Sequence, residues 1–229
     1  MTIVYQPSLD PVHYQTRFQI DTLSVQSSVL RPADDGVFVR RPRPDRAGLR
    51  PEARFEIARG RWGLIPLFAS AREYPSTYEA RVETAPVERD FYQPWKRGHR
   101  CVVLADALFR HADAGRRVVR VARADGAPLA LAGLWNAWRS PDGQCVESFT
   151  LLTLPSEEQP GERRIVFLRD GWIDDWLNCP VEEAATCLRP YDLHKLVRTE
   201  VDALPQFAGA ESIPAIDGAP PNLATSCAA

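Results

Sequence analysis

Two short runs in this sequence hold residue types that could grip a polar ligand. Arg61-Trp62-Gly63-Leu64-Ile65-Pro66 sets an aromatic beside a glycine and a proline, and Glu79-Ala80-Arg81-Val82-Glu83-Thr84 sets an arginine between two glutamates. Gly63 permits close approach of another backbone or of a ligand. Pro66 fixes the direction in which the chain leaves, and Trp62 offers a flat face for a base or a side chain to stack on. An arginine such as Arg81 carries a planar fork that grips phosphate. Together the two runs read as one wall of a site. Read by itself, the first run is also the pattern of a packed core tryptophan followed by a turn.

The elements that must position these residues are mostly short strands. Near-alternation of apolar residues from 15 to 30 (Phe18, Ile20, Leu23, Val25, Val29) predicts one or two strands, and the turn Arg31 to Gly36 leads into a strand at Val37-Phe38-Val39. Arg40 to Pro51, interrupted by Pro42 and Pro44, reads as an arginine-bearing loop. Cys101 to Arg110 and Val118 to Arg123 predict two strands around a turn at Asp113-Ala114-Gly115. Pro128 to Trp138 predicts a buried strand, with Ser148 to Leu154 as its partner. From Asp170 the period becomes helical: Trp172, Ile173, Trp176 and Leu177 share a face that leaves Asp174 and Asp175 outside. Pro180 predicts a second short helix over Val181 to Leu188, and Tyr191 to Leu204 reads as strand and turn. Beyond Gln206 the composition turns to Ala, Gly, Pro and Ser, the signature of a flexible tail, so the division is a domain over 1–206 and a tail over 207–229.

Composition bounds the function classes. A chain of 229 residues that is 45% hydrophobic can bury one good core. No run is long and apolar enough to span a bilayer, and the start has neither the basic nor the apolar region of a signal peptide, which predicts a soluble, cytoplasmic protein. Five cysteines without metal-type spacing predict reduced thiols, with Cys179 and Cys187 in a structural role and no cofactor or metal. A net charge of −2 does not announce a nucleic-acid binder, but nearly all the positive charge is arginine. Arg40, Arg41, Arg43 and Arg46 cluster, as do Arg116, Arg117, Arg120 and Arg123; each cluster reads as a phosphate grip or, equally, as a solvated surface.

Read together, these stations resemble the SRAP family, the SOS-response-associated peptidases that sense abasic sites in single-stranded DNA. Arg61 to Pro66 matches the family's RWGLIP, Glu79 to Thr84 its NARAET, and Arg100 to Asp106 its RCLVPAD. Leu131 to Trp135 matches AGLW, Phe149 to Thr153 matches FTILT, Arg163 to Leu168 loosely matches RMPVIL, and Trp176-Leu177 closes the match. The resemblance covers residues 1 to about 205. It implies an α+β fold: a curved mixed or antiparallel sheet closing toward a barrel with flanking helices, as the many short strands allow.

The resemblance also implies site residues, and here the chain departs from the pattern. The family's terminal cysteine, exposed by loss of the initiator methionine, forms an imine with the aldehyde of an abasic sugar, and its thiol closes a stable thiazolidine; Thr2 stands there instead. The α-amine is kept, with the pKa near 8 that leaves some neutral nucleophile, but a hydroxyl supports at most a reversible imine. Glu79 replaces the family's active-site asparagine, Arg110 its catalytic glutamate and Gly161 its histidine, while His111, next to Arg110, faces the other side of its strand. An ion pair between Glu79 and Arg110 filling the old pocket is one expectation. The positions implied in DNA binding, Trp62, Phe68, Arg81, Glu83 and Thr153, persist, with Phe68 in place of the family's tryptophan.

The expectation is an abasic-site processing or sensing protein of the DNA damage response that binds single-stranded or junction DNA, with its peptidase- or lyase-like chemistry degenerate. It is expected to be a monomer without a membrane segment, with the tail open to a protein partner. Two alternatives stand beside it: an active variant using the Thr2 amine, and a non-DNA interaction protein, which the negative net charge favours.

Overall fold

Val102 to Ala105 and Leu129 to Trp135 are apolar at nearly every position, which only a strand covered on both faces tolerates. The computed structural model, which describes residues 3–20, 29–43, 52–72, 74, 77–112, 117–156, 160–188 and 191–204, shows why. The strands are β1 (Ile3–Pro7), β2 (Asp35–Arg40), β3 (Glu56–Trp62), β4 (Glu79–Arg81), β5 (Arg100–Ala112), β6 (Arg117–Arg123), β7 (Leu129–Arg139), β8 (Cys145–Pro155), β9 (Arg163–Ile165), β10 (Phe167–Leu168) and β11 (Leu196–Val201). The helices are α1 (Pro11–Phe18), α2 (Tyr92–Lys96) and α3 (Ile173–Asn178). Strand pairing runs β7–β8–β3–β2–β5 and returns from β5 to β7, so five strands close into a barrel. This is the expected α+β architecture.

The two faces of the central strands bury different cores. Cys101, Val103, Leu131, Trp135, Phe149 and Leu151 point into the barrel with Tyr5, Phe38 and Trp62. Their neighbours Val102, Leu104, Ala132, Leu134 and Leu152 point outward and are covered by Tyr14, Phe18, Trp95 and Trp176 from the helices. Gly133 allows the strands to approach: a Cβ there would lie 2.5 Å from the Thr150 carbonyl oxygen.

One local feature positions the site. β3 runs parallel to β8 as far as Trp62 opposite Phe149, and β4 resumes the same parallel track with Glu79 opposite Leu151. The chain leaves β8 at Gly63, whose φ of 131° an L side chain rarely adopts, and returns two positions further along. Gly63 is approached by the ring of Tyr78, not by open space.

Three expectations need correction. Phe18 ends a helix instead of beginning a strand, because the Asp10 cap, Pro11 at the first turn and the buried i, i+4 pair Tyr14 and Phe18 set a helical period. Of the second helix only a 3₁₀ turn at Val181–Glu183 forms, followed by turns. Cys101, Cys179 and Cys187 are free thiols, but Cys145 is disulfide-bonded, against the expectation of reduced cysteines. Residues 21–28, the turn at 113–115, Arg46, Arg116 and the 207–229 tail lie outside the described residues.

Candidate functional site

In β4, successive side chains face opposite ways: Ala80 enters the core, and Glu79 and Arg81 emerge on the same side. They line an open cleft of about 680 Å3 with Thr84, Val87, Glu88 and Phe91 from the following turns, Thr153 from β8 and Arg163 from β9. The guanidinium of Arg81 is exposed and forms no hydrogen bond or ion pair among the described residues. Arg163 is the opposite case. Its Nε donates to Thr153 Oγ1 at 3.0 Å, and its Nη2 donates to the Thr153 carbonyl at 2.9 Å and to Glu83 Oε2 at 2.7 Å. One arginine is free to take a ligand, and the other is fixed beside it by the protein.

The cleft carboxylates are driven apart. Burial pushes the Glu79 carboxyl above its ordinary range, opposed by the amino-terminal charge and by Arg163. Burial would raise Glu83 as well, but the Arg163 hydrogen bond, its backbone contact and the charges of Arg163 and Arg81 hold it below the usual value. Glu88 accepts a hydrogen bond from Thr84 Oγ1 at 2.9 Å.

On the far side of Arg163 lies a second, apolar recess whose walls include Ile3, Leu108, Arg110, Ile165 and Phe167. Ile3 pairs directly with Arg110, so β1 carries the start of the chain to this recess; Thr2 itself lies outside the described residues. The expected Glu79–Arg110 ion pair does not form. Arg110 pairs with Glu162 at 3.4 Å, and the arginine that acts on Glu79 is Arg163, which borders both recesses. His111 lines neither of them.

Other expected site residues fall in different places. Trp62 is wholly buried, donates from Nε1 to the Tyr78 carbonyl at 2.9 Å and meets Tyr5 edge-on, so it has no face to offer a base. Its motif shapes the loop instead. Ser148 Oγ accepts from the Ile65 amide at 2.9 Å, Asn136 Nδ2 donates to the Ile65 carbonyl at 2.7 Å, and Trp138 Nε1 donates to the Ala69 carbonyl at 2.8 Å. This clamped loop presents Phe68, 43% exposed, with the Arg89 guanidinium 3.9 Å from its ring centroid. Thr153 is buried, its hydroxyl occupied by Arg163 and the Ala80 carbonyl; it positions Arg163 and offers no surface for DNA. Glu83 is committed to Arg163.

The arginine clusters are largely consumed internally. Arg40 is buried between Glu56 and Glu147 with its guanidinium 4.1 Å from the Trp135 ring, and Arg123 is held by Asp125 and Asp170. Sequence reasoning passed over Arg163, because nothing local distinguishes it among many arginines; only the β8–β9 pairing sets it over Thr153. Among the described residues no group of His, Cys, Asp or Glu is arranged to hold a metal ion, and no helix is long and apolar enough to cross a membrane.

Residues 9–204 match the family model described as SOS response associated peptidase (SRAP). The chain is 29% identical over 154 residues to the abasic site processing protein YoqW of Bacillus subtilis (strain 168), covering 63% of this chain and 68% of that protein. It is 24% identical over 172 residues to the abasic site processing protein HMCES of Mus musculus, covering 58% of this chain and 48% of that one. A crystal structure of a protein from Bordetella bronchiseptica superposes with a TM-score of 0.74 at 31% identity, covering 86% of this chain and 98% of that chain. A second, from Bacteroides thetaiotaomicron, has a TM-score of 0.69 at 19% identity, covering 86% and 91%, and is a likeness of fold.

Proposed function

This chain belongs to the SOS response associated peptidase family, and we propose that it processes or senses abasic sites by holding single-stranded DNA non-covalently in the cleft of Arg81 and Arg163, without forming a stable cross-link. The observation that carries the reading is the pairing of one unengaged and one prepositioned arginine across a single open cleft. A phosphodiester entering the cleft meets Arg81 with both fork positions available. Arg163 adds charge at no ordering cost, because Thr153 already fixes it. Phe68 stands exposed on the loop that joins β3 to β4, where a base can stack against it alongside Arg89.

The covalent step is expected to be weak. Thr2 brings an α-amine but no thiol, Arg110 is a cation paired with Glu162 where an acid would serve, and Gly161 has no side chain to move a proton. An amine and an aldehyde then reach an imine that water reverses. A second reading has its own observation: two carboxylates, Glu79 and Glu88, line the cleft with two arginines, one of which is already paired with Glu83, which suits a protein partner with basic side chains.

One experiment separates these. Intact and abasic single strands are incubated with the full chain, with and without borohydride, at two salt concentrations. Salt-sensitive binding that weakens in Arg81→Ala, with an adduct only under borohydride, is the expected result. Absence of binding to both strands turns the assignment toward a protein partner, and a heat-stable adduct without reductant overturns the degenerate chemistry.

A further inference from the structure

Glu79 and Arg81 are i, i+2 on one strand, so their side chains leave the same face with their Cβ atoms about 7 Å apart. Glu79 is half-buried, and it lines the same cleft as the two arginines that would hold an anion. Among the described residues, the charged groups that line the cleft with it are Arg81 and Glu88 from its own segment and Arg163 from β9, which also holds Glu83, and the amino-terminal charge acts on it as well. Glu83 is already hydrogen-bonded to Arg163 and Glu88 to Thr84, whereas Glu79 accepts no hydrogen bond among the described residues. An anion on Arg81 therefore sits beside one carboxylate whose charge no hydrogen bond stabilises.

We propose that Glu79 is the proton-linked specificity residue of the cleft: binding of a phosphodiester on Arg81 and Arg163 takes up one proton at the Glu79 carboxyl, so nucleic acid is held more tightly as the pH falls. The inference rests on the reading of the cleft as a DNA surface and states what governs its affinity. An anion held on Arg81 and an ionised Glu79 repel within one cleft, and each unit by which that repulsion raises the Glu79 midpoint corresponds to about tenfold tighter binding at acidic pH. Burial already favours the neutral carboxyl before anything binds, and the bound anion adds to that preference. The sign follows: the complex binds a proton that the free protein releases, so affinity is lowest and flat at neutral pH. It rises as pH falls through the Glu79 midpoint of the complex and levels off below that of the free protein.

The test uses the full chain labelled with 13C at glutamate carboxyls, titrated by NMR alone, with a thymidine oligonucleotide, and with sulfate, neither of which titrates in this range. Glu79→Gln assigns the resonance. The expected result is an upward move of the Glu79 midpoint by about one unit with either anion, and about tenfold tighter oligonucleotide binding at acidic pH. In Glu79→Gln this pH dependence is lost. A midpoint unmoved by both anions, or a pH dependence of affinity that survives in Glu79→Gln, overturns the proposal. If sulfate moves the midpoint and the oligonucleotide fails to bind, the proton linkage stands and the DNA reading falls. Should Glu79→Gln fail to fold, Glu79→Asp assigns the resonance instead: an upward move of that midpoint with sulfate in the unmodified chain supports the proposal, and an unmoved midpoint refutes it.

Discussion

Replacing each cleft arginine separately should split binding from stability. In Arg163→Ala the buried Thr153 loses one of two donors to its carbonyl, the Val82 amide remaining at 3.1 Å, and one partner of its hydroxyl, and Glu83 loses its cation. Each of the two hydrogen bonds lost by Thr153 contributes about 0.5–1.5 kcal/mol, and both its oxygens keep a partner. The Glu83 pair, with side-chain exposures of 26% and 43%, adds at most about 1 kcal/mol after solvent screening. The sum is about 1–4 kcal/mol, which for a chain of this size lowers the Tm by roughly 2–16 °C. Arg81→Ala removes an exposed side chain without protein partners, so stability should change by less than about 0.5 kcal/mol. Both variants should bind single-stranded DNA more weakly, each lowering the slope of log affinity against log salt by about 0.7, one phosphate contact. Urea denaturation and fluorescence anisotropy at several salt concentrations measure the two quantities. Equal destabilisation by the two variants, or an Arg163→Ala protein within about 0.5 kcal/mol of the parent, would refute the division of labour between a free and a prepositioned arginine.

Trp62→Phe removes one of two donors to the Tyr78 carbonyl, the Leu151 amide remaining, and should cost about 0.5–1.5 kcal/mol of stability for the lost hydrogen bond, read by denaturant midpoint, with DNA affinity unchanged. Phe68→Ala should do the reverse, leaving the midpoint in place and weakening oligonucleotide binding by about 1–3 kcal/mol for one stacked base. His99 stacks on Trp135 at 4.1 Å, and burial, then the charges of Arg97, Arg43 and Arg40, push its pKa down to about 4. A pKa depressed below the unfolded value of about 6.5 gives stability that is present above that pH and is lost as pH falls toward about 4. The parent should lose about 2 kcal/mol between about pH 7.5 and pH 5 from this group, and His99→Phe, which keeps the stack, should lose that much less when both are unfolded in urea.

What could be read without coordinates was the framework. Long apolar strands, an amphipathic segment at Trp172 to Leu177 and an arginine between two glutamates follow from local period and residue type; the α+β class came from the resemblance to the SRAP family, which the many short strands allow, and Glu79 to Thr84 stood out as a candidate wall of a site. What only tertiary structure decided was which polar groups meet. The register of β4 and β9 on β8 sets Arg163 over Thr153 and between Glu79 and Arg110, three segments that no local pattern links. Barrel closure buries Trp62 and clamps its loop, turning an apparent stacking face into a core residue and passing exposure to Phe68. Hydrophobic period is a property of neighbours along the chain. The charge state of Glu79 and the freedom of Arg81 depend on burial and on partners tens of residues away, and those distances exist only once the barrel has closed.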